Sequence, residues 1–184
     1  MATMPSMASQ LEALYQADQA ARVGKNPATI NWVEVSKQDA IRRQQVRKIL
    51  DNGDDFTANE YFSAALVMQH GSEPADFKQA MVLAQKAAKI DPSHNRAKWL
   101  ACAAEDRYLI KLGKSQVWGT QLRRKPYPNK GYDIYYLIDF DKSARADSLR
   151  QQGCGLPSIK QMEQKLKTMA KMPKRNDQYQ HWKS

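Results

Sequence analysis

Only two cysteines occur among 184 residues, Cys102 and Cys154, far apart and without a Cys-x-x-Cys partner. That scarcity argues against a disulfide framework and against a structural zinc site. No stretch approaches the ~18 consecutive apolar residues of a membrane span, and no basic segment leads into a long apolar run at the N-terminus. Neither a span nor a secretory signal is indicated, so a cytoplasmic protein without membrane contact is expected. The chain also lacks a Gly-x-Ser-x-Gly elbow, a Walker A loop, a dinucleotide-binding glycine pattern and a His-Glu-x-x-His pair, which removes the strongest enzyme signatures. No second histidine or carboxylate sits at metal-ligand spacing from His70, so no metal and no cofactor is expected.

Charge is present but unevenly placed. Residues 1–110 hold 13 Lys/Arg against 13 Asp/Glu, whereas residues 111–184 hold 16 against 6, so the whole net charge of +10 lies after residue 110. Such asymmetry favours an anionic partner. Specific nucleic-acid binding is not expected, because the basic residues are spread over three segments and no zinc-finger, RNP or basic-zipper pattern accompanies them.

At 42% hydrophobic content the length suits one domain with a real core, here residues 9–172, between a flexible N-terminus (1–8) and a basic polar tail (173–184). Apolar residues recur with helical period through most of it. Leu11, Leu14 and Tyr15 mark a helix over 9–22, and Val35, Val46 and Ile49 a second over about 31–50. Thr57 with Glu60 three residues on is a capping-box signature for a third helix, closing at His70-Gly71. Pro74 suits the first turn of a fourth that runs to Ile90, and a fifth begins at Ser93 or His94 and ends at Gly113. Two more are expected over 141–152 and 157–172. The fold class is therefore all-α, antiparallel helices in a single domain. Ala80, Ala87 and Pro92 have the spacing of a degenerate tetratricopeptide helix pair, without a second clear copy. Residues 118–136, rich in Gly, Pro, Tyr and Arg, read as a long loop with a short extended piece at 132–138.

The residues with chemical potential gather at helix ends. His70 is the candidate general acid or base, imidazole being the side chain suited to proton transfer near neutral pH, with a C-cap role as the competing explanation. Asp106 or Asp18 is the candidate group to orient it. Asp18 and Arg22 are one helical turn apart and could be no more than an intrahelical pair. Arg107 would hold an anionic group. Gln116, Thr120 and Gln121 supply neutral donors and acceptors, Trp118 a flat wall, and Arg150 a second bidentate cation. Cys102, among alanines in mid-helix, reads as an inert thiol, and Cys154 between two glycines as a more exposed one.

Taken together, Asp18-Gln19-x-x-Arg22, Gln69-His70, Asp106-Arg107, Gly113-x-x-Gln116-x-Trp118-Gly119-Thr120-Gln121 and Arg150 with Gly155-Leu156 resemble a bacterial family of helical proteins of unknown function, over roughly residues 11–166. The resemblance implies no activity. Two readings follow from the residues. In the first, a helical cleft lined by Asp18, Arg22, His70, Arg107, Gln116 and Gln121 binds an anionic small molecule or modified peptide, and any catalysis is metal-independent acid–base chemistry. In the second, the tetratricopeptide-like pair is an interaction module without catalysis.

Overall fold

The computed structural model describes residues 5–53, 55–126 and 133–169. The expected tail at 173–184, the first four residues of the expected N-terminal segment and the final residues of the last expected helix lie outside these. Among the described residues the fold is all-α: seven helices with one small ribbon. They are α1 (Met7–Ala20), α2 (Trp32–Asn52), α3 (Ala58–Met68), α4 (Pro74–Ile90), α5 (Asn95–Lys111), α6 (Asp147–Cys154) and α7 (Ile159–Met169). A single 3-10 turn, Pro27–Thr29, joins α1 to α2. Among the described residues no helix is long and apolar enough to cross a membrane.

Local chemistry fixes where the helices start. The Asn31 side chain accepts from the Glu34 amide at the head of α2. Thr57 and Glu60 form the full capping box of α3, each side chain meeting the other's backbone N–H. Pro74 opens α4, where its missing N–H costs nothing. His94, rather than Ser93, caps α5, its Nδ1 accepting from the Ala97 amide at 3.2 Å.

Packing follows from small side chains at the crossings. α4 lies between α3 and α5, and α3 also meets α1 and α2. Ala64 and Ala65 of α3, Ala80, Ala84 and Ala87 of α4, and Ala97 and Ala104 of α5 are fully buried, so the backbones approach closely. Leu11, Val46, Val67, Met68 and Leu100 fill the space between them. A fully buried side chain of that size contributes about 1.5–3 kcal/mol through water exclusion.

Three expectations change in the second half. The segment expected as a loop over 118–136 contains an antiparallel ribbon, β1 (Leu122–Pro126) paired with β2 (Asp133–Leu137) in the register Leu122↔Leu137, Arg124↔Tyr135. Leu122-Arg-Arg-Lys-Pro has no apolar alternation, which is why no strand was read there. α6 begins at 147, six residues later than expected, because Asp141 turns back to accept from the Ser143 amide and hydroxyl at 2.9 and 2.6 Å. Most consequentially, the cysteines are neither unpaired nor exposed. Cys102 on α5 and Cys154 at the end of α6 form a disulfide, Cα atoms 6.2 Å apart across 52 residues of sequence. Both are buried beside Trp118 and Leu156 in a second, smaller apolar cluster. Spacing in sequence could not reveal this pairing, since the ribbon folds out between the two helices and returns the chain to α5.

Candidate functional site

Asp18, in the last turns of α1, is fully buried, and His70, just past α3, brings Nδ1 to 2.8 Å from its Oδ1. The same oxygen receives Arg22 Nη1 at 2.5 Å, and Oδ2 receives Gln19 Nε2 at 2.8 Å. Burial pushes the Asp18 carboxyl up, but the hydrogen bond and charge of His70 and the guanidinium of Arg22 outweigh it and hold the group below the usual aspartate value. An ionised Asp18 can only accept. Nδ1 of His70 therefore carries a proton, which leaves Nε2 as the atom of the neutral ring that can take one up.

Arg22 does more than close a helical turn. Its Nη2 reaches Asp39 on α2 at 2.7 Å, and Asp39 in turn accepts from Arg42 at 2.6 Å. Arg42 Nε is buried without an acceptor among the described residues. Arg43 donates to the His70 carbonyl at 3.1 Å and lies 3.5 Å from Asp76. Asp76 accepts from Arg47 and from the amides of Ser72 and Glu73. Gly71 is required here: a Cβ would collide with the Asp76 side chain. Asp39, Arg42, Arg43 and Asp76 were not singled out in the sequence. The signal of the three α2 residues was present in the 39/42/43 spacing, but nothing local to α2 tells which other helix they face.

Arg107 joins the second half of the chain to this junction. Its Nη1 donates to the Gln69 carbonyl and to Gln69 Oε1 at 3.1 and 3.2 Å, and its Nε donates to Gln121 Oε1 at 3.1 Å. Desolvation lowers its pKa below the ordinary arginine value, yet arginine remains protonated in proteins. Because Gln69 precedes His70, the Asp18–His70 pair and the Arg107–Gln121 pair meet at the C-terminal end of α3.

The remaining candidates build a frame. Asp106, also fully buried, accepts from the amides of Val117, Trp118 and Thr120 at 2.8, 2.9 and 2.9 Å and from the Thr120 hydroxyl at 2.7 Å. These contacts account for its carboxylate; Asp18, not Asp106, is the carboxylate on His70. Gln116 acts as a backbone mimic across the same turn, its Oε1 accepting from the Gln121 amide at 2.9 Å while its Nε2 donates to the carbonyls of Gln121 and Ile138. Gly119 has φ +74°, and a Cβ there would crowd Phe140 and Met162. Trp118 donates its indole N–H to Glu105 at 2.6 Å and lies under the Arg145 guanidinium. Arg150 is fully buried, donating to the carbonyls of Trp118 and Pro157 at 3.1 and 2.9 Å and to Asp147 at 3.0 Å. Gln116, Trp118, Thr120 and Arg150 thus fix the turn that delivers Gln121 to Arg107. No group of three or more His, Cys, Asp or Glu side chains arranged to hold a metal occurs among the described residues.

Two open clefts, of about 310 and 350 Å³, lie beside α5 around Cys154; of the candidate residues only Trp118 lines either. Compared with protein-family models, curated proteins and solved structures, the chain has no match.

Proposed function

We propose that this protein binds an anionic small molecule or modified peptide at the end of α3 and processes it by metal-independent acid–base chemistry, with His70 as the proton-transferring group. The observation that carries this reading is the 2.8 Å contact between His70 Nδ1 and a fully buried Asp18. A carboxylate that fixes one ring nitrogen as donor leaves the other to accept a proton, which is the preparation a general base requires. Arg22, Arg43 and Arg107 around the pair favour a negatively charged ligand.

The disulfide bears on where this takes place. Such bonds persist in oxidising compartments and are rare in the cytosol. Our reading accordingly moves the protein from the cytoplasm, expected on sequence grounds, to an oxidising compartment. Alkylating free thiols in freshly lysed source cells before and after reduction tests it: labelling only after reduction supports this placement, and full labelling before reduction rejects it.

The test of the function is a ligand-observed NMR screen of carboxylates, phosphate esters and short acidic peptides against the wild type, H70A and D18N. Asp18 keeps Arg22 and Gln19 as partners when His70 is removed, so H70A is expected to fold while losing at least tenfold in affinity or all turnover of the wild-type hits. Hits that bind all three proteins equally well would rule out the site.

A further inference from the structure

The face of α5 that carries the disulfide offers a different kind of surface. On one side of the helix, Arg96, Trp99 and Leu100 join Phe62 and Leu66 around the cleft of about 310 Å³. On the other, Lys98 and Cys102 join Lys89 and Trp118 around the cleft of about 350 Å³. Cys154 borders both, so the disulfide lies between two adjacent basins. Leu100 is fully buried beneath the first, whereas Trp99 at its edge is 43% exposed. A half-exposed tryptophan beside an apolar hollow is the residue type that most often anchors a partner, because it has a large area left to bury.

The charge around the basins is predominantly positive. Arg96 is stacked on the Phe62 ring at 4.7 Å, and Arg96, Lys89 and Lys98 make no ion pair within the described residues. Lys98 lies in the field of Asp91 across the preceding turn. The one carboxylate in the second basin, Glu105, already accepts from the Trp118 indole and faces Arg145 at 3.4 Å. Three cations distributed over two basins call for several carboxylates at intervals rather than for one anionic head group.

We propose that this face docks an acidic peptide segment, one large apolar side chain entering each basin while flanking carboxylates meet Arg96, Lys98 and Lys89 and the peptide backbone crosses above Cys154. The proposal stands apart from the His70 reading, since no residue of that junction lines either basin.

The probe is a fluorescein-labelled glutamate peptide with two phenylalanines four positions apart, a span of about 13 Å when extended. Its controls replace both phenylalanines with alanine or all glutamates with glutamine. Fluorescence anisotropy should show saturable binding to the full chain, weakened at least tenfold by either peptide change and by W99A or R96E, and unaltered in H70A. Arg96 is exposed, so R96E keeps the test valid should W99A fail to fold. Absence of saturable binding, or equal affinity in wild type and R96E, would overturn the proposal. So would displacement of the peptide by phosphatidylglycerol vesicles or by a single-stranded oligonucleotide, each of which would assign the face to another class of partner. A matching loss in H70A would remove its standing as a separate site.

Discussion

Asp18 and Asp106 are both fully buried carboxylates, and the difference between them separates the two halves of the molecule. Asp18 is held by side chains that carry or can carry charge: His70 and Arg22, with Gln19 beside them. Asp106 is held by three backbone amides and one hydroxyl from a single turn. The first arrangement can change protonation and be redistributed; the second can only hold a backbone in place. A buried acid therefore signals function or architecture according to what satisfies it, and burial by itself does not distinguish the two.

The largest expected effect comes from breaking the architectural acid. Asp106→Ala would strand three amides in a turn that Gln116 and Arg150 cannot hold alone, and hydrogen bonds to a charged group contribute about 1.5–3 kcal/mol each without adding fully. A loss of at least about 3 kcal/mol in urea unfolding is expected. A loss under about 1 kcal/mol would show that the turn is fixed by Gln116 and Arg150 instead. Of comparable size is the effect of the disulfide, which closes a span of 52 residues containing that entire frame. On the chain-entropy account such a loop is worth about 4 kcal/mol, and engineered removals commonly give 2–5. The C102S/C154S double variant should therefore melt well below the oxidised wild type and level with the reduced one. Equal melting of all three would mean that the small cluster around Trp118 holds without it.

The acid on His70 should show itself through pH. The Asp18 carboxyl titrates below its ordinary value of 3.8 in the folded chain. Its contribution to stability is then fully present above the unfolded value and is lost as pH falls through the lower folded one. D18N should flatten that acid limb of the stability profile, whereas the wild type should lose stability steadily below about pH 4. Unfolding curves from pH 2 to 6 decide this, and parallel profiles for the two proteins would place the acid sensitivity on other carboxylates.

Which parts were legible in the sequence follows the same division between local and distant partners. The helices α3, α4 and α5 could be read because their signals, Thr57 with Glu60, Pro74, and Gly113, act within a few residues. The turn from Gln116 to Gln121 was recognisable as special for the same reason, and its internal hydrogen bonds span only five positions. The Asp18 to His70 contact crosses 52 positions and the Arg107 to Gln69 contact 38. Sequence could nominate those residues, as it did, but not pair them. It assigned Asp106 a chemical role because a carboxylate at a helix end looks the same whether it will meet a proton donor or a folded-back backbone. Asp39 went unnoticed although it completes the Arg22 network from a neighbouring helix.

The smallest effect is expected in the ribbon, and it sharpens the comparison by marking where the frame ends. Arg123 and Lys125 pair across the strands with Tyr136 and Ile134, and both cationic side chains are exposed, Lys125 standing 5.5 Å over the Tyr136 ring. Exposed cation–aromatic contacts contribute about 0.5–1 kcal/mol, and surface substitutions away from special features stay within about 0.5. The two strands are fastened to the rest through Gln116, which donates to the Ile138 carbonyl beyond β2 and accepts from Gln121 before β1, and through the packing of β2 on α7, and not through these cations. R123Q/K125Q should therefore change unfolding free energy by no more than about 1 kcal/mol while removing two of the positive charges that follow residue 110. A loss comparable to that of Asp106→Ala would mean that the ribbon belongs to the frame, and that Arg123 and Lys125 serve the fold before any anionic partner.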